Sequence, residues 1–178
     1  KGNINTGVEK FKIDTNSAMT AHKNEVSVKL EDMENEIAAK LNGFIECGIS
    51  SDHTTTSTDI EQLNIDTIIC SRGDGLTLVN GLIRVGSGVN RIRVSGQIGW
   101  VSDTTDAHVL EGLVYINSSY VIRNAITTIG DYLGVPLISK IIDVQEGDII
   151  HLYARSKTME GFTVYNKASS TWICVEVV

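Results

Sequence analysis

Apolar side chains from Val26 to Ile37 recur at alternating intervals of four and three residues, within a segment, 14–41, that has no glycine or proline. This spacing brings the apolar positions to one face of an α-helix and predicts an amphipathic helix with a narrow apolar stripe. The polar residues 14–17 predict its N-cap, and Asn42-Gly43 predicts its C-terminal end. The stripe residues, which are our candidate oligomerisation residues, are Met19, Val26, Leu30, Met33 and Ile37.

The stripe fits a heptad register in which Leu30 and Ile37 take a positions and Lys23 falls at another a position. Two interpretations follow: the helix lies on its own domain, or it self-associates as a parallel coiled coil. Its length of roughly 40 Å, at about 1.5 Å per residue, favours self-association because it exceeds one face of a small sandwich. The mixed residues at a and d allow a trimer without specifying one.

After Gly43 the period of the apolar positions changes to two. Residues 91–101 alternate polar and apolar side chains, which is typical of a strand with one buried face. Asn80-Gly81 between two apolar runs predicts a hairpin with a type I′ turn. Further strands are predicted at 45–49, 67–70, 111–117, 120–123, 137–144, 148–155, 162–166 and 171–178, and a surface loop at 50–58.

About ten short strands without an intervening helical pattern predict a mainly β protein, an antiparallel sandwich or barrel. We therefore predict two domains, a helical stalk over residues 1–43 and a β head over residues 44–178. Because the chain begins at Lys1 rather than at Met, we also expect it to be part of a longer protein.

Charge narrows the choice of partners. The 178 residues include 15 basic and 22 acidic side chains, a formal net charge of −7, of which residues 44–178 carry −6. We expect no nucleic-acid partner, because binding to phosphate backbones requires a basic surface. No segment has the apolar length of a membrane span, so no membrane partner is expected. The acidic head also makes neutral saccharides or proteins better ligands than anionic polymers.

The sequence contains no pattern that indicates a cofactor, a metal or an enzyme active site. Cys47, Cys70 and Cys174 form no C-x-x-C pair and lie in apolar stretches, so we expect small buried thiols that stay reduced. Asp103, Asp106 and His108 are the only acidic and histidine cluster, and a solvated loop is the preferred interpretation over a hard-cation site.

Three further features are interpreted as structural elements rather than as chemical sites. Arg72-Gly73-Asp74 and Asn117-Ser118-Ser119 are predicted to be turns between strands rather than adhesion or glycosylation sites. His151 shares one side of its strand with Tyr153 and Arg155 and is predicted to lie at a surface or interface. Carboxylate pairs for glycoside hydrolysis stay an open alternative, because their separation is set in space and not in sequence.

The last third of the chain resembles the C-terminal strands of C1q/TNF-like jelly rolls. Gly147-Asp148 opens an apolar strand within residues 141–153, and residues 171–177 form a final strand of the type Thr-x-Ile-x-Val. The resemblance covers roughly residues 80–178 and implies a jelly-roll head that trimerises about a three-fold axis. Aromatic residues make up only 6% of the chain, which lacks the early Phe/Tyr motif of animal C1q heads. This departure argues against an immune or cytokine ligand.

A helical stalk ahead of such a head resembles the C-terminal part of bacteriophage tail and baseplate proteins, of the upper baseplate or receptor-binding type. This resemblance implies a homotrimeric virion structural protein that anchors or presents a host-recognition module beside other tail or baseplate proteins, without a cofactor. Its location would be the virion, and extracellular after release. The alternatives are an adhesin for host-surface saccharides and, third, a polysaccharide-cleaving tailspike-type enzyme.

Overall fold

The computed structural model describes residues 2–41, 43–101, 106–128, 132–158, 161–166 and 170–178. The chain divides into two compact units, Lys1–Ala38 and Ala39–Val178. The domain boundary predicted between residues 43 and 44 stays a prediction. Within the described ranges, no helix combines the length and the apolar character that a membrane crossing requires.

The first unit consists of helix α1, which spans Gly2–Leu41 and is 40 residues long. The prediction that the helix begins after an N-cap at residues 14–17 is wrong, because helical hydrogen bonding continues through these residues. The Thr15 hydroxyl donates to the Phe11 carbonyl at 2.8 Å, a bond within the helix and not an N-cap bond. Glu25 and Lys29 form an ion pair of 2.8 Å one turn apart.

The described part of the second unit is built of β-strands, as predicted. The strands are β1 (Phe44–Gly48), β2 (His53–Thr54), β3 (Glu61–Gln62), β4 (Thr67–Arg72), β5 (Leu76–Val79), β6 (Leu82–Val85), β7 (Arg91–Val101), β8 (His108–Ile116), β9 (Ser119–Thr128), β10 (Tyr132–Asp143), β11 (Ile149–Ser156), β12 (Thr163–Val164) and β13 (Trp172–Val177). Sequence analysis missed the two-residue strands β2, which lies in the predicted loop 50–58, and β3, and it ended β9 five residues early.

The first sheet is organised around β7. Residues 92–97 of β7 pair with β13 on one side and with β10 on the other. Beyond β13 follow β1 and β4, while β12 pairs with the end of β7 and with β2. The strands β4 and β10 are therefore the opposite edges of the first sheet, and every pairing is antiparallel.

The second sheet has the order β5-β6-β11-β8-β9, with β3 beside β11. Its β5–β6 hairpin turns at Asn80 and Gly81, which have φ angles of 51° and 79°, and this confirms the predicted type I′ turn. The inward faces of both sheets form one apolar core. Side chains at most 1% exposed in this core include Ile98, Trp100, Val114, Leu152 and Ile173.

Candidate interaction surfaces

The apolar stripe of α1 is exposed to solvent. Its five predicted residues, Met19, Val26, Leu30, Met33 and Ile37, are between 48% and 67% exposed. An apolar row of this length on one helix is the usual signature of a surface that a partner helix covers. The coiled coil itself stays a prediction.

The outward face of the second sheet carries a group of aromatic rings that we call the tyrosine surface, formed by Tyr115, Tyr120, His151 and Tyr153. The register pairs Tyr115 with Tyr120 and with His151, so residues of three adjacent strands meet there. The ring centroids of Tyr115 and Tyr153 are 4.7 Å apart, and those of His151 and Tyr153 are 5.9 Å apart. The position predicted for His151, on one side of β11 with Tyr153, is confirmed.

His151 contributes a neutral ring to the tyrosine surface. Burial lowers the pKa of its imidazole below the ordinary value, so the uncharged form prevails near neutral pH. Its Nδ1 atom is buried and has no hydrogen-bond partner among the described residues. Tyr153 donates its hydroxyl proton to Gln62 Oε1 at 3.2 Å, and Tyr120 is 60% exposed. The surface thus consists of amphipathic rings, a composition that suits recognition.

A cluster of charges lies next to the tyrosine surface around Glu111, whose side chain is only 1% exposed. Its Oε1 atom accepts hydrogen bonds from Arg123 at 2.8 Å and is 2.9 Å from Lys157 Nζ. Arg155 Nε lies 3.6 Å from the other carboxylate oxygen, beyond hydrogen-bond distance. Three cations around one carboxylate make this part of the acidic head locally positive.

Burial and hydrogen bonding shift the pKa of the Glu111 carboxyl in opposite directions. Burial alone would raise its pKa, but the hydrogen bonds from Lys157 and Arg123 outweigh this effect and hold the pKa below its ordinary value. The same pair raises the pKa of the Arg123 guanidinium. Glu111 is therefore ionised at neutral pH and fixes the cations along the edge of the tyrosine surface.

The structure places the other candidate residues away from this surface. His108 is 5% exposed, lies 3.1 Å from Thr158 Oγ1 and contacts the Phe162 ring, so it belongs to the packed interior. Asp103 lies outside the described residues, and Asp106 is exposed. Within the described ranges, no three histidine, cysteine or acidic side chains form a group able to hold a metal ion.

The two predicted turns are confirmed. Gly73 has a φ of 73° directly after β4, and Asn117 has a φ of 54° between β8 and β9. The Asn117 side chain is engaged on both its atoms, since Nδ2 donates to Asp148 at 2.9 Å and Oδ1 accepts from the Ile149 N–H at 3.0 Å. These contacts join the β8–β9 turn to the start of β11.

The prediction of three buried thiols is wrong for Cys70, which is exposed, and Cys174 is half-buried. The reason is that β4 is an edge strand whose six residues are all exposed. Cys47 is buried as predicted, and its burial raises the pKa of the thiol to about 12. All three thiols are free.

Sequence reasoning missed Glu111, Arg123, Tyr115 and Tyr120 as members of one surface. The alternation within β8 was available as a signal, because it places Glu111, Leu113 and Tyr115 on one side of the strand. Their proximity to β11 and β9 depends on the register between strands, which no local pattern specifies.

We predict that Glu111→Gln lowers the free energy of unfolding by about 1–3 kcal/mol, because it leaves three cations without their buried partner. The matched control Glu176→Gln removes an exposed ion pair with Arg93 and costs less than about 1 kcal/mol. Urea unfolding at one protein concentration measures both.

The difference in stability between the natural protein and Glu111→Gln should also depend on pH. Because the folded-state pKa of Glu111 is lowered, its contribution is present above the ordinary value of 4.5 and is lost as the pH falls through the folded value. The difference in stability between the natural protein and Glu111→Gln should therefore narrow in acid. A difference that stays constant down to the acid transition would contradict the assigned ion cluster.

Comparisons with known proteins concern the fold. No family model matches the chain, and no curated protein matches it. A crystal structure of murine APRIL matches with a TM-score of 0.60 at 12% identity, covering 77% of this chain and 99% of that one. The structure of Eiger TNF from S. frugiperda matches with a TM-score of 0.54 at 8% identity, covering 78% and 92%. The chain thus contains the TNF-like jelly roll that the sequence predicts, preceded by a helix.

Proposed function

We propose that this protein is a homotrimeric structural protein in which α1 forms a coiled-coil stalk and the jelly roll forms the head. The observation that carries the proposal is the exposed apolar stripe on a 40-residue helix directly ahead of a TNF-like head. Burying this stripe between copies of the chain removes it from water, which is the main driving force for association. In this proposal the stalk holds three heads in register and presents them.

The head itself supports a cyclic assembly. A three-fold ring needs two different complementary patches on each protomer, because one patch of a copy meets the other patch of the next. The two opposite edges of the first sheet carry exposed apolar side chains, Ile68 and Ile69 on β4 and Ile138 and Ile141 on β10. These edges supply the two patches that a ring requires.

The finer assignment is a virion component of a phage tail or baseplate, which anchors or presents a host-recognition module beside other tail or baseplate proteins. It is supported by the order of stalk and head and by the sequence resemblance. The role needs no cofactor and no catalytic group. In this proposal the protein is located in the virion and becomes extracellular on release.

Sedimentation equilibrium tests the trimer. We expect a mass of about three times the 19.4 kDa chain. Leu30→Asp plus Ile37→Asp should dissociate the stalk and reduce the helical signal, because isolated helices are marginal in water. The matched control, Asn24→Asp plus Val28→Asp, adds two acids outside the stripe and should leave mass and helicity unchanged. A natural protein that sediments as a monomer at micromolar concentration would refute the proposal.

Electron microscopy tests the location. Gold-labelled antibodies against the head should bind to the tail or baseplate of purified virions of a phage that encodes this chain. Virions lacking that gene product provide the control. Labelling of neither tail nor baseplate would contradict the virion assignment and leave the trimer unaffected.

A second candidate function, a saccharide-binding adhesin, is favoured by the tyrosine surface. Its rings offer apolar faces for the C–H groups of a sugar, while the adjacent Arg123 guanidinium offers donors to hydroxyl groups. We predict that Tyr120→Ala plus Tyr153→Ala weakens binding to host cell-wall saccharides at least about tenfold on a glycan array. Val178→Ala, a change at a 37% exposed side chain outside the tyrosine surface and outside the two apolar edges, is the control.

The outcomes separate the alternatives. If the double tyrosine variant binds saccharides as well as the control variant does, the tyrosine surface is excluded as a saccharide site. Shortening of a bound polysaccharide, seen as new reducing ends, would instead indicate the tailspike-type enzyme.

A further inference from the structure

The observed start of α1 at Gly2 reveals a longer pattern than the segment 14–41 contains. From Val8 to Ile37 the stripe continues in steps of three, four and four residues, repeated without interruption. The pattern consists of three copies of an 11-residue repeat. Its positions are Val8, Phe11 and Thr15, then Met19, His22 and Val26, then Leu30, Met33 and Ile37.

The 11-residue repeat accounts for the apolar positions of α1 better than the heptad does. Extended to residue 9, the heptad places Glu9, Lys12, Asn16 and Lys23 in the core, so five of its nine positions are apolar. The 11-residue repeat has seven apolar positions of nine, and its polar members are Thr15 and His22. Thr15 satisfies its hydroxyl within the helix by donating to Phe11.

The added residues are as accessible to a partner helix as those of the original stripe. Val8 is 49% exposed and Phe11 is 71% exposed, comparable to Leu30 at 56%. An exposed phenylalanine near the start of the helix has no role in the heptad register, in which it lies outside the core. In the 11-residue repeat it is a core residue with the same standing as Met33.

Charges along the stripe indicate what covers it. Lys12 and Lys23 lie along one margin, and Asp14 and Glu25 lie along the other, with the same spacing of eleven residues; on that second margin Lys29 pairs with Glu25 at 2.8 Å. In a parallel, in-register bundle the basic margin of one helix faces the acidic margin of the next. An antiparallel arrangement would bring lysine margins together. Glu34 replaces the lysine in the third repeat, so the complementarity covers the first two.

We propose that α1 associates with second and third copies of itself in parallel through this 11-residue repeat, and this inference rests on the proposed trimer. Eleven residues in three turns give 3.67 residues per turn, slightly more than the 3.6 of a straight α-helix. The bundle is therefore straight to right-handed, in contrast to the left-handed supercoil of a heptad. Its core contains Phe11 and a ring of three His22 side chains.

Two neighbouring substitutions distinguish the repeats in the full-length chain. His22 lies in the core of the 11-residue repeat and at the margin of the heptad, whereas Lys23 has the reverse placement. His22→Ile should raise the melting temperature of the helical circular-dichroism signal by about 5 °C or more, and Lys23→Ile should raise it less. Both are measured at one protein concentration.

Self-association provides a second readout. Phe11→Asp should weaken trimer formation at least about tenfold in sedimentation equilibrium, while Ile13→Asp, at a 64% exposed side chain outside the stripe, should not. A trimer in which Lys23→Ile stabilises more than His22→Ile, or in which Phe11→Asp has no effect, overturns the 11-residue repeat and leaves the trimer standing. A monomeric natural protein overturns both.

Discussion

The head depends on the pairing of β7 with strands on both of its sides. Because β13 and β10 bind the same stretch of β7, the side chains that alternate along it are fixed relative to the whole first sheet. Ile92 and Val94 point into the core and are fully buried, while Arg91 and Arg93 on the other face pair with Asp143 and Glu176 at 2.8 Å. A slip by one residue would exchange these sets, burying guanidinium groups and exposing the core.

Features encoded within a few consecutive residues could be predicted from sequence. The alternation along 91–101 and the Asn80-Gly81 turn are both local signals, and both are confirmed. The start of α1 was missed because Gly2 and Gly7 count against a helix. An interior glycine costs about 1 kcal/mol, which a 40-residue helix can offset elsewhere. The shortened helix also hid the 11-residue spacing, because it left out Val8 and Phe11, the two apolar positions of the first repeat.

The candidate surfaces of the head could not be read from sequence, because they are assembled across strands. Glu111 is a typical surface residue by type, yet it is buried by cations that come from β9 and from the segment after β11. Tyr115 meets Tyr120 through a hairpin but meets His151 only through the register of β8 against β11. Pairing between distant segments is fixed by the total packing of both sheets, so it has no local signature.

The Asn117 turn has a consequence for the production of this protein in a eukaryotic secretory pathway. Asn117-Ser118-Ser119 satisfies the acceptor pattern for N-linked sugars. A sugar attached to Nδ2 would replace one of its two hydrogens and place a bulky group beside Asp148, where β8, β9 and β11 converge. Modification therefore bears on folding: in the folded chain Nδ2 is engaged with Asp148, and a sugar attached before folding would crowd the contacts that join the hairpin to β11.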